Sequence, residues 1–87
     1  MDFHLDFSDQ SMIDIEYHKK SGNKVILKKI LNLLNELSAH PFDGTGKPEA
    51  LKHQLSGMWS RRINQEHRLI YSVSGDVVTI HSLKGHY

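Results

Sequence analysis

A carboxylate, a cluster of cations and a histidine beside a phenol are parts from which RNA can be cut without a metal, and the second half of this chain carries them all. Glu49, Lys52, His53, Arg61, Arg62 and Arg68 fall within twenty positions, and the sequence ends on His86-Tyr87 after an apolar, strand-like run. Metal-free cleavage needs a base to take the proton from the ribose 2′-hydroxyl and an acid to protonate the departing 5′-oxygen. It also needs cations to hold the extra charge on phosphorus. Carboxylate and imidazole can fill the first two roles. Arginine forks match phosphate geometry better than lysine does. Residue types alone leave simple binding of RNA or of a partner open beside catalysis.

The charge distribution points the same way. The net charge of +1 hides a polarity: residues 1–46 hold five lysines against seven acids, residues 47–87 six basic residues against three acids. The C-terminal half is therefore the candidate anion surface, although any single cation in it can equally be a solvated face. Other chemistries fit poorly. Gly44-Thr45-Gly46-Lys47 lacks the spacing of a nucleotide-binding loop, and Pro48 has no N–H to give a phosphate. Seven histidines, no cysteine and no helical i, i+4 histidine pair argue against a metal site, and no cofactor is expected. His4, His18 and His40 are expected at the surface, and His81 as a structural strand residue. Ser56 and Ser60 lack the surroundings of a hydrolase nucleophile.

The elements that must position these groups follow from period and punctuation. Eighty-seven residues suit one domain, 1–87, with a modest core. Phe3 to Phe7 alternates as a strand, and Ser8 is a helix N-cap. The next helix, to Lys20, places Met12, Ile15 and Lys19 on one stripe with Ile13 and Tyr17 beside it, and Ser21-Gly22-Asn23 breaks it. A stronger helix over residues 24–39 carries Ile26, Ile30, Leu33, Leu34 and Leu37 on one face, and Pro41 ends it. The glycines of the following loop let it bend close to the sheet. Met58 to Ile63, His67 to Val73 and Val77 to Leu83 read as strands, with a short strand possible at Leu51 to Leu55. Strands and helices segregate, so the fold class is α+β, with two N-terminal helices on one face of a mainly antiparallel sheet. A three-residue turn at Asn64 to Glu66 pairs Ile63 with His67 and Arg62 with Arg68. Trp59, Ile63, Leu69, Tyr71 and Val73 then face the core and the two arginines the other side. A two-residue turn instead sets Arg62 beside His67. The N-terminus lacks a signal-peptide pattern and no run approaches the roughly 18 apolar residues of a membrane span. A soluble cytoplasmic protein with no membrane partner is expected.

Lys47-Pro48-Glu49-Ala50-Leu51-Lys52-His53, Leu55-Ser56-Gly57, Trp59-Ser60-Arg61-Arg62-Ile63, Glu66-His67-Arg68-Leu69 and the closing His86-Tyr87 together resemble the YoeB-type toxins of the RelE-like superfamily of bacterial toxin–antitoxin systems. The likeness spans about half the chain in dense motif and the helical half in pattern. It implies a small RNase-like fold of about five strands and two helices. It also implies a ribosome-dependent mRNA endonuclease that cuts in the ribosomal A site and stops translation. Glu49 then matches the general base, His86 the general acid, Tyr87 the aromatic that positions substrate, and Arg68 the arginine on the scissile phosphate. Lys52, His53, Arg61 and Arg62 match residues around the RNA and the ribosome. The implied partners are a YefM-type antitoxin that masks the site, the ribosome and mRNA, with a homodimer or a toxin–antitoxin complex as the assembly. The reading that competes with it is a non-catalytic RNA- or ribosome-binding module using the same basic surface.

Overall fold

Two helices and five strands follow one another as β1 (His4–Phe7), α1 (Asp9–Ser21), α2 (Lys24–Ala39), β2 (Glu49–Ala50), β3 (Met58–Arg62), β4 (Arg68–Ser74) and β5 (Val77–Ser82), with a 3-10 turn at His53–Leu55. The structure, a computed structural model, describes residues 2–85. Local chemistry sets the helix ends. Ser8 accepts from the Ser11 N–H and starts α1, Gly22 closes it in a left-handed conformation, and Asn23 caps α2 through the Ile26 N–H. The strands form one sheet in the order β1-β5-β4-β3-β2. β1 runs parallel to β5 and every other pair is antiparallel, as the α+β reading expected.

The α2 stripe packs as its period demands. Ile30, Leu33 and Leu37 are buried against Leu69, Tyr71, Val78 and Ile80, with Ile26, Leu34, Trp59 and Val73 partly buried around them. Burying each such aliphatic side chain contributes about 1.5–3 kcal/mol, so this layer holds α2 to the sheet. Arg62 stands opposite Arg68, and beyond them the Ile63 N–H donates to the His67 carbonyl at 3.0 Å, which leaves Asn64 to Glu66 as a three-residue turn. Asn64 Oδ1 fixes that turn by accepting from the N–H groups of Glu66 and His67 at 2.9 and 2.7 Å.

Two expectations are corrected. Leu51 to Leu55 is not a strand: pairing stops at Ala50, and His53, at φ 60, turns the chain into the 3-10 segment. The inward face of α1 is largely polar, with Ile15 partly buried beside it. Ser11, Asp14 and His18 are its buried residues, while Met12, Ile13 and Tyr17 are exposed. His18 is therefore a buried residue at 1% exposure rather than a surface one. The physical reason is that α1 packs over the end of β5, where backbone groups need partners: the Leu83 N–H reaches Asp14 and the Leu83 carbonyl reaches His18, both at 2.8 Å. His4 and His40 are exposed as expected, and His81 is tied into the sheet with its Nε2 2.8 Å from Ser72 Oγ.

Candidate active site

The helices cover one face of the sheet, and Glu49, Arg62 and Arg68 lie on the other. Glu49 stands opposite Ser60, Ser60 opposite Ile70, and Arg62 opposite Arg68. Side chains at paired positions share a face, so Glu49, Arg62 and Arg68 project together. With strands ~4.8 Å apart and a rise of ~3.4 Å per residue, the Glu49 and Arg68 backbones stand about 12 Å apart. At that separation both side chains are long enough to reach one group held between them. Glu49 lies on the short edge strand and is exposed, as are Lys52, His53 and Arg62, whereas Arg68 is half-buried. Glu49, Lys52 and His53 line an open groove of about 370 Å³. Lys29, Lys47 and Arg62 line a second, of about 390 Å³. A third groove, about 490 Å³, runs between β1 and α1 and mixes Asp6 and Glu16 with Lys19, so it is no anion site.

The peptide N–H of Arg68 donates to the Gly85 carbonyl at 3.1 Å. This bond ties the residue that precedes His86 in the sequence to the residue expected to hold the phosphate. His86 and Tyr87 themselves lie outside the described residues. Among the described residues no group of three or more His, Asp or Glu could hold a metal ion, and no helix is long and apolar enough to cross a membrane.

Arg61 corrects another expectation. The register that turns Arg62 outward turns Arg61 toward the helices, where it is 0% exposed. Its guanidinium donates to Glu36 Oε1 at 3.1 Å, to the carbonyls of Asp43 and Thr45 at 2.7 and 3.4 Å, and to the His40 carbonyl. Its Nε also reaches Tyr71 Oη at 3.4 Å, and Tyr71 donates in turn to the Pro41 carbonyl at 2.5 Å. Burial raises the Tyr71 phenol above its ordinary 10.0, against the pull of Arg61, so it keeps the proton it donates. Arg61 is thus the pin of the 40–47 loop that leads into Glu49, not an RNA contact.

Gly46 brings the same loop onto the sheet, as expected of its glycines. Its carbonyl accepts from the Arg62 N–H at 2.7 Å, its φ is +83°, and a Cβ there would meet the Arg62 carbonyl oxygen at 2.9 Å. Gly46→Ala is therefore expected to destabilise the fold by about 1–3 kcal/mol, read in a denaturant titration. A midpoint equal to wild type contradicts the close approach.

The loop also carries a pH dependence. Hydrogen bonding from Thr45, and then the charge and hydrogen bond of Arg61, hold the Glu36 carboxyl below its ordinary 4.5 despite some desolvation. The folded state then binds fewer protons than the unfolded state. The stabilisation from Glu36 is complete above its ordinary 4.5 and is lost as pH falls through the lowered folded value. Glu36→Gln is expected to lower the melting temperature at neutral pH and to flatten its fall in acid. Parallel melting-versus-pH curves for the two proteins contradict this.

Sequence reasoning missed the buried set formed by Asp14, His18 and His67, which are 3%, 1% and 5% exposed. A signal existed: Ser11, Asp14 and His18 recur at i, i+3 and i+7, a polar stripe at helical period.

Known proteins share this sequence and fold. Residues 7–87 match the model of the YoeB-like toxin of bacterial type II toxin–antitoxin systems. Toxin YoeB of Escherichia coli K12 is 47% identical over 83 residues, which covers 95% of this chain and 98% of that protein. The YoeB dimer from Staphylococcus aureus superposes with a TM-score of 0.87 at 41% identity, covering both chains in full. The YoeB–YefM complex from the same organism gives 0.85 at 42% identity, again over the whole of both chains. With its order of strands, its basic open face and these relatives, the chain belongs to the YoeB-like toxins of bacterial type II toxin–antitoxin systems.

Proposed function

We propose that this toxin is a ribosome-dependent endoribonuclease that cuts mRNA in the ribosomal A site, in the cytoplasm, without a metal. Glu49 takes the proton from the ribose 2′-hydroxyl, which attacks the adjacent phosphorus. Arg68 stabilises the charge that builds on the phosphoryl oxygens. His86 gives a proton to the 5′-oxygen as its bond to phosphorus breaks, and Tyr87 orients the substrate. Lys52, His53 and Arg62 hold the flanking RNA and ribosome. The observation that supports this reading most is the shared sheet face of Glu49, Arg62 and Arg68, with Gly85 bonded to the Arg68 backbone. Arg62 stands directly opposite Arg68, so two guanidinium groups serve the same part of that face.

A YefM-type antitoxin is the proposed protein partner, and the Staphylococcus aureus complex supports it. A homodimer, as in the Staphylococcus aureus dimer, is the proposed state without antitoxin. Deleting His86-Tyr87 is expected to relieve the growth arrest caused by expressing the chain, with the melting curve retained. Full toxicity of a folded deletion variant contradicts the assignment of the general acid. Arg62→Ala is expected to weaken binding to translating ribosomes and to reduce the slope of log affinity against log salt by about one. An unchanged slope places Arg62 outside the RNA contact.

A further inference from the structure

The β4–β5 ladder ends with Ser82 opposite Ile70, just after an irregularity at His81. Beyond it, side chains supply most of the partners. The Leu83 N–H donates to Asp14 Oδ2 and the Leu83 carbonyl accepts from His18 Nε2, both at 2.8 Å. The Gly85 N–H donates to His67 Nδ1 at 2.9 Å. Together with the bond from the Arg68 N–H to the Gly85 carbonyl, both backbone groups of Leu83 and both of Gly85 are satisfied. Gln10 Nε2 holds the other Asp14 oxygen at 2.8 Å, and the His18 and His67 rings meet edge to face with centroids 4.8 Å apart.

Burying a carboxylate and two imidazoles is costly, and a helix that needed only to pack would bury apolar residues there. The cost is offset because an apolar face would leave the Leu83 and Gly85 backbone groups without partners in a buried place. The Leu83 side chain is itself 0% exposed and plugs into the core, which fixes the segment along its length. Gly85 turns the chain at φ +77° with nothing within 4 Å of a would-be Cβ, so the demand there is conformational rather than steric.

We propose that Asp14, His18 and His67 are positioning residues for cleavage: they fix the Leu83 and Gly85 backbone beside Arg68, and His86 and Tyr87 follow that segment in the sequence. The proposal rests on the reading of His86 and Tyr87 as reacting groups. A misplacement of about 1 Å at a reacting group costs on the order of 10²-fold in rate. The three side chains act on kcat because they hold the backbone that leads to the acid and not the RNA.

The test uses the full-length protein on translated mRNA, with cut sites and rates read by primer extension. Asp14→Ala and His67→Ala are expected to lower kcat by about 10–100-fold while KM for translating ribosomes stays nearly constant. Asp14→Asn keeps an oxygen for the Leu83 N–H, and His67→Asn sets an amide oxygen close to the position of Nδ1. Both are expected to restore most of kcat, which a role in packing alone does not predict. Amide exchange on the wild-type protein gives a measure that does not depend on any variant folding, and the Leu83 and Gly85 amides are expected to be protected. Wild-type kcat in folded Asp14→Ala and His67→Ala, or free exchange at both amides, overturns the proposal and leaves the endonuclease reading intact. A wild-type protein that makes no cuts overturns that reading itself.

Discussion

Glu49→Gln is expected to lower the rate of mRNA cleavage by about 10²–10⁴-fold and to leave the fold unchanged. The substitution keeps the shape of the side chain and removes only its ability to take a proton. Glu49 is exposed on the two-residue edge strand β2, and among the described residues its carboxylate makes no hydrogen bond or ion pair that the fold uses. Surface changes of that kind alter stability by no more than about 0.5 kcal/mol. The two readouts therefore separate: a single-turnover cleavage assay falls steeply, and a thermal melt does not move. Retained binding to translating ribosomes completes the pattern. A Glu49→Gln protein that cuts at the wild-type rate removes Glu49 from the base role.

Arg61→Ala is expected to give the opposite pattern, a loss of about 3–5 kcal/mol in stability. The guanidinium is 0% exposed and bridges Glu36, Tyr71 and the carbonyls of His40, Asp43 and Thr45. Removing it strands those acceptors and leaves a hole beneath the loop that leads into β2. Domains of this size have only about 5–15 kcal/mol of net stability, and each kcal/mol moves the melting temperature by about 4–8 °C. Arg61→Lys is not expected to rescue, because an ammonium has no planar fork to span carbonyls from several directions. Activity falls too, but through the loop: cleavage per folded molecule drops, while the salt dependence of ribosome binding stays as in wild type. A fully stable Arg61→Ala protein with a reduced salt slope returns Arg61 to the RNA surface.

The contrast between neighbouring arginines shows how far the sequence could be read. The α2 stripe, the N-cap at Ser8 and the three-residue β3–β4 turn are local patterns, and each fixes its element without help from distant residues. A three-residue turn, one of the two lengths the sequence left open, sets Arg62 opposite Arg68, and alternation then turns Arg61 inward. Alternation could not show what makes that burial tolerable, because the acceptors come from α2 and a loop up to 25 positions away. The polar face of α1 was obscure for the same reason: Asp14 and His18 find their partners 69 and 65 positions along the chain. Apolar stripes announce a core because water drives them inward wherever the chain goes. Buried polar groups are legible only once their partners are in place.

The RNA-cleaving claim is tested most directly by mapping 5′ ends on an mRNA translated in a purified system with the antitoxin-free protein. New ends are expected at A-site positions that depend on the ribosome, persist with chelator present, and vanish with Glu49→Gln and with deletion of His86-Tyr87. Ribosome binding and translation arrest without any new 5′ ends contradict it and make the basic face a binding surface alone.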